Sequence, residues 1–159
     1  MSVETKTTET KMLTRRALIG SLAVTPFLTS AAFAAKPEVF AVDGIAIRGT
    51  DPVAYFKKSM PVAGSSEFET MWMGATWRFE SAENLADFQA NPEAFAPKYG
   101  GYCAYAVSKG GTATTDPEAW TIWEDRLYLN FNRTVRGIWS DDIPGNVAKA
   151  DANWPGVLA

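Results

Sequence analysis

One thiol dominates the chemistry this sequence could perform. Cys103 is the single cysteine among 159 residues, within Tyr99-Gly100-Gly101-Tyr102-Cys103-Ala104-Tyr105. With Met71 and Met73 it makes a soft donor set of one thiolate and two thioethers, which Cu(I) accepts at low coordination number. Tyr99, Tyr102 and Tyr105 add polar-tipped rings around a Gly-Gly backbone, which suits the rim of a small-ligand pocket. Plainer readings stand beside these. A free cysteine commonly packs as a small hydrophobe, and methionine on a strand commonly fills core space. Met71 and Met73 flank Trp72, so on a strand they share the face opposite to it.

The rest of the composition narrows the chemistry. There is no histidine, so the commonest general base and the commonest metal ligand are both missing. A nucleophilic thiolate needs a cation, a histidine or a helix start to lower its pKa. Lys98 and Lys109 bracket Cys103, and a helix beginning after Gly100-Gly101 would be the other aid. Glu80, Glu83, Asp116 and Glu118 form no recognisable acid pair and read as caps and turns. Catalysis is therefore the weaker expectation, with a thiol-dependent redox role as the competing one.

Before the fold is read, the amino-terminal third must be set aside. Thr14-Arg15-Arg16-Ala17-Leu18-Ile19 precedes a charge-free apolar stretch from Gly20 to Phe33, closing on Ala32-Phe33-Ala34. A transmembrane anchor needs roughly twenty apolar residues, and this run is shorter and interrupted by Pro26. A general secretory signal fits the layout without explaining the paired arginines. A twin-arginine signal over 1–34 explains all of it, with Arg15 and Arg16 as the recognition pair and Ala32 and Ala34 bordering the cleavage site. This reading implies passage through the twin-arginine translocase, a periplasmic mature protein and no stable membrane insertion after cleavage. Removing four basic and two acidic residues takes the formal charge from −3 to −5. No basic block survives, so nucleic acid is a poor partner.

The elements that must position Cys103 and its neighbours follow from local patterns. Residues 35–41 read as a linker, and 42–159 as one domain. Val42 to Ile47 has strand character and enters a turn at Gly49-Thr50-Asp51-Pro52. Val53-Ala54-Tyr55-Phe56 is an apolar patch, and Lys57 to Ser66 a loop. Glu67 to Phe79 reads as a hairpin around Met73-Gly74. Ser81 caps a helix carrying Glu83, Leu85 and Phe88, and Asn91-Pro92 ends it. Ala119–Trp123 and Leu127–Phe131 form a second hairpin, followed by a helix from Asn132 through Trp139. Pro144-Gly145 breaks the chain before a last helix reaching about Asn153. The two hairpin-plus-helix units align at an offset of 51 residues: Trp72 with Trp123, Gly74 with Asp125, Ser81 with Asn132, Phe88 with Trp139. An internal duplication and a chance likeness both remain open at this point.

Three segments carry a resemblance to a known family. Asp51-Pro52-Val53, then Gly74-Ala75-Thr76-Trp77-Arg78-Phe79, then Phe88-Gln89-Ala90-Asn91-Pro92-Glu93-Ala94-Phe95, follow the order of motifs in YHS domains, small metal-associated modules related to TRASH domains. The wider pattern, through Tyr99–Ser108 and Ala119-Trp120-Thr121-Ile122, resembles exported bacterial YHS proteins. In metal-binding relatives, cysteines occupy positions matching Ala54, Glu80 and Asn84, so the resemblance does not carry the usual ligand set with it. What it implies is a non-catalytic exported binding domain linked to metal handling, with copper as the candidate metal; an aromatic-rich partner-interaction domain is a further alternative. The expected fold is α+β, with two short antiparallel hairpins each packed by a helix and a helical extension at the carboxyl end.

Overall fold

The computed structural model describes residues 34–159. The proposed export signal, including Arg15, Arg16 and Ala32, lies outside the described residues, and Ala34 is exposed at their start. The fold is α+β, as the patterns predict. Its strands are β1 (Ala41–Val42), β2 (Ile45–Ala46), β3 (Ser65–Trp72), β4 (Ala75–Phe79), β5 (Asp116–Trp123) and β6 (Arg126–Asn130). Its helices are α1 (Pro52–Lys58), α2 (Ala82–Ala90), α3 (Pro92–Phe95), α4 (Ala104–Ser108), α5 (Arg133–Ser140) and α6 (Ile143–Asn153). One sheet has the order β1-β2-β4-β3, with β2 parallel to β4; β5 and β6 pair by themselves. No helix among the described residues is long and apolar enough to cross a membrane.

The two hairpins are drawn to one template. Shifting β3, β4 and the start of α2 by 51 residues lands on β5, β6 and the start of α5. The ladders agree pair by pair: Ser65 faces Phe79 where Asp116 faces Asn130, and Trp72 faces Ala75 where Trp123 faces Arg126. Both carry a bulge at the same place, between Ser65 and Glu69 and between Asp116 and Trp120. Each tip turns through two residues of positive φ, Met73-Gly74 and Glu124-Asp125, the conformation a tight two-residue hairpin needs. Ser81 Oγ accepts from Asn84 N at 3.2 Å, and Asn132 Oδ1 accepts from Val135 N at 2.8 Å.

Packing repeats as well. Trp77 and Phe88 hold ring centroids 5.3 Å apart at 31°, and Tyr128 and Trp139 hold theirs 5.3 Å apart at 36°. Each hairpin thus offers one aromatic face to its helix, where large rings bury the most area per residue. These are two cores with the same geometry, one around Trp77, Phe79 and Phe88 and one around Tyr128 and Trp139. Upstream, the correspondence shifts to 52 residues. Ile47-Arg48-Gly49 and Tyr99-Gly100-Gly101 both run through three consecutive positive φ angles. The match across backbone, caps and ring stacks makes the chain a structural tandem of one unit.

Three expectations are corrected. Val53–Phe56 lies in a helix, because Asp51 caps it and Pro52 occupies the first helical position, where its missing N–H costs nothing. Pro144 and Gly145 belong to the first turn of α6 instead of breaking the chain. Residues 35–41 are no linker. Val39 and Phe40 are buried, Lys36 N donates to Leu158 O at 2.8 Å, and Phe40 N donates to Gly100 O at 2.9 Å.

Candidate functional site

Asp51 is the polar centre of the first unit. It is fully buried, and its carboxylate accepts four hydrogen bonds. Oδ1 takes the α1 amides of Val53 and Ala54 at 2.8 and 3.2 Å, and Oδ2 takes Glu80 N at 2.9 Å and Asn84 Nδ2 at 2.7 Å. A buried carboxylate is tolerable on these terms, because every lone-pair direction meets a donor. Ala54, Glu80 and Asn84, far apart in sequence, therefore converge around one side chain. Ala54 offers no donor atom, Asn84 Nδ2 is turned to the carboxylates, and Glu80 Oε2 is paired with Lys58 Nζ at 2.6 Å. These residues do not fit a soft metal. No group of three or more His, Cys, Asp or Glu able to hold a metal ion occurs among the described residues.

Cys103 occupies the place of Asp51 in the second unit. It precedes α4 as Asp51 precedes α1, and its Sγ accepts from Phe131 N at 3.3 Å as Asp51 accepts from Glu80 N. The backbone repeats too: Asp51 N donates to Val62 O at 2.8 Å, and Cys103 N to Ala113 O at 3.0 Å. The thiol also lies 3.6 Å from Asn130 Oδ1 and is 1% exposed. It is enclosed and engaged as a structural acceptor. Met71 and Met73 are elsewhere, 68% and 47% exposed on the first hairpin. Met73 is a turn residue rather than a strand residue, so the shared strand face does not exist. The Cys103, Met71, Met73 donor set for copper is not assembled, because burial holds the thiol away from the exposed thioethers.

A concavity of roughly 260 Å³ opens where five separate segments meet, apart from a more open one of roughly 390 Å³ beside Arg48, Asp116 and Phe131. Trp72, Met73 and Trp77 come from the first hairpin, Glu93 from α3 and Ala96 to Gly100 from the turn after it, and Glu38 and Val39 from the start of the domain. Arg126 from β6 and Trp154 after α6 complete it. Trp77 Nε1 donates to Trp72 O at 3.0 Å, fixing one indole against the other. Lys98 Nζ pairs with Asp151 at 3.3 Å and lies 5.4 Å from the Tyr99 ring centroid. Burial and the hydrogen bond from its hydroxyl to Asp151, 2.9 Å long, push the Tyr99 pKa well above the ordinary phenol value.

The four residues expected at a pocket rim are thus dispersed. Tyr99 lines this cleft, although it is only 4% exposed. Tyr102 is buried against Phe40 and Trp154, its hydroxyl donating to Pro37 O at 3.0 Å. Tyr105 lies under the Lys109 ammonium, 4.8 Å from its ring centroid. Cys103 does not line this cleft. Trp72, Trp77, Lys98, Arg126 and Trp154 were not foreseen at a site. The indoles are legible in the sequence as core residues, and only tertiary packing turns their edges toward a common space.

Fold and concavity together define a tandem α+β module with a small, open, tryptophan-lined cleft. No family model matches the chain, and no curated protein or solved structure matches it.

Proposed function

We propose that the protein is a non-catalytic binding domain, exported to the periplasm by its twin-arginine segment, whose ligand occupies the Trp72–Trp154 cleft. The observation that carries this reading is the cleft itself. Aromatic walls and a few charged groups converge there, which is the usual composition of small-molecule sites. Among the described residues that line it, no nucleophile is paired with a positioned base, so binding is better supported than turnover. The meeting of Ala54, Glu80 and Asn84 around Asp51 supports the YHS resemblance, since ligand positions in a metal-binding relative would have to converge in the same way. The chemistry at those positions in this chain is a closed carboxylate-amide network. Copper handling accordingly finds no support in the donors present, and burial of Cys103 weighs against the thiol-dependent alternative. Tryptophan fluorescence titration against a panel of periplasmic metabolites and metal ions tests the proposal. Saturable quenching by at least one small molecule is expected, and flat titrations across the panel refute a ligand-binding cleft.

A further inference from the structure

Resting on that reading of the cleft, we infer that its ligand is a single ring bearing one carboxylate and hydroxyl donors. Arg126 is half-buried, lines the cleft, and forms no ion pair among the described residues. Lys98, the other cation there, is already held by Asp151. A guanidinium without a protein partner beside indole rings is suited to a bidentate pair with an incoming carboxylate.

Shape and the remaining charges narrow the ligand further. At roughly 260 Å³ the cleft falls just below the range of about 300 to 1,000 Å³ common for drug-sized ligands. One ring fills it. Trp72 and Trp154, both part-exposed where they line the cleft, offer indole surface to a flat ring or to the C–H face of a sugar. Glu38 and Glu93 are exposed on the rim. They repel a second negative charge and accept hydrogen bonds from hydroxyl groups. An aromatic hydroxy acid and a uronic acid share this chemistry, and the choice between them is experimental.

The test is fluorescence titration of the full chain with para-hydroxybenzoate and glucuronate, beside their neutral counterparts phenol and glucose. At least one acid is expected to bind about tenfold tighter than its neutral counterpart or better, a margin of roughly 1.4 kcal/mol. Arg126→Gln should erase that margin while leaving the thermal midpoint and the neutral ring's affinity unchanged. The acid that keeps the margin identifies the source. Neutral rings that bind as well as the acids, or a margin that survives Arg126→Gln, overturn the carboxylate inference and leave the cleft standing as a site. Silence from all four probes overturns it as well; the cleft reading then stands or falls separately on the wider metabolite panel. Salt supplies a check that needs no variant. Raising ionic strength to about 0.5 M should weaken acid binding and spare neutral binding, and an acid affinity indifferent to salt also overturns the inference.

Discussion

Replacing Asp51 by asparagine, a change of one heavy atom, should destabilise the fold well beyond what an ordinary single substitution costs. The Asp51→Asn side chain keeps an oxygen for the Val53 and Ala54 amides, so the helix cap survives. Its NH2 then points at two donors, Glu80 N–H and Asn84 Nδ2, which sit 2.9 and 2.7 Å from the present oxygen. Each buried donor left without an acceptor costs about 1–3 kcal/mol. Rotating the Asn84 amide would rescue one bond but turn its oxygen toward Glu80 Oε1, now 3.3 Å from its nitrogen. The expected loss is about 3 kcal/mol for Asp51→Asn, and about 4–5 kcal/mol for Asp51→Ala, which forfeits the cap too. At about 2.1 cal/mol/K per residue over the described domain, a 3 kcal/mol loss lowers the thermal midpoint by roughly 11 °C. Urea unfolding followed by far-ultraviolet circular dichroism measures it. Cys103→Ala, the matching change in the second unit, removes one N–H···S and one weak S–H···O contact and should cost only about 1–2 kcal/mol. A loss below about 1 kcal/mol for Asp51→Asn, or equal losses for Asp51→Ala and Cys103→Ala, would refute the reasoning.

Three further outcomes are expected. Cys103, enclosed at 1% exposure, should resist alkylation in the native protein and react at once in denaturant; rapid native labelling would contradict its role as a buried acceptor. Burial holds Tyr55, Tyr99, Tyr102 and Tyr128 above the ordinary phenol value, with nearby carboxylates adding to the rise for Tyr55, Tyr99 and Tyr128. The unfolded chain therefore loses phenolic protons first, so stability is complete below about pH 10 and falls as pH rises beyond it; equal urea midpoints at pH 8 and 11 would count against this. Gly100→Ala should destabilise by several kcal/mol, on the order of 3 or more, because the new methyl would collide with the Glu38 carbonyl at a φ of +60. Arg48 holds the same φ of 60 at the matching position of the first unit, so the demand for glycine comes from the close backbone and not from the turn alone. A thermal scan decides it, and a midpoint within a few degrees of the unchanged protein would remove the steric argument.

Local signals made much of the fold readable in advance. The hairpins were legible because Met73-Gly74 and Glu124-Asp125 are turn residues between aromatic strands, and α2 and α5 because Ser81 and Asn132 are good caps. The helix α1 was hidden by Asp51-Pro52, a pair equally at home in a turn and at a helix start; only burial of Val53 to Tyr55 decides between them. Val39 and Phe40 were missed because two apolar residues beside a proline and a charge carry no periodicity. The cleft was the least legible feature. Its walls come from residues as distant as Glu38 and Trp154, and no local rule places them together. Of the rim expected from sequence, Tyr99 alone reached it, since the backbone of positive φ around Gly100 directs its neighbours Tyr102 and Cys103 inward.

The equal spacing of the two hairpins carries a hazard for a newly made chain. Strands with matching lengths, bulges and registers are interchangeable as far as the backbone is concerned, so β3 can in principle take the partner meant for β5. Such exchange between similar units is a characteristic misassembly of repeat proteins, within one chain or between two. Divergence between the copies is the safeguard. The buried carboxylate at Asp51 finds the Asn84 amide only in the first unit, where the second has Val135, and the Cys103 thiol finds Asn130 only in the second. The polar centres thus act as addresses, telling two otherwise equivalent hairpins which helix each belongs to.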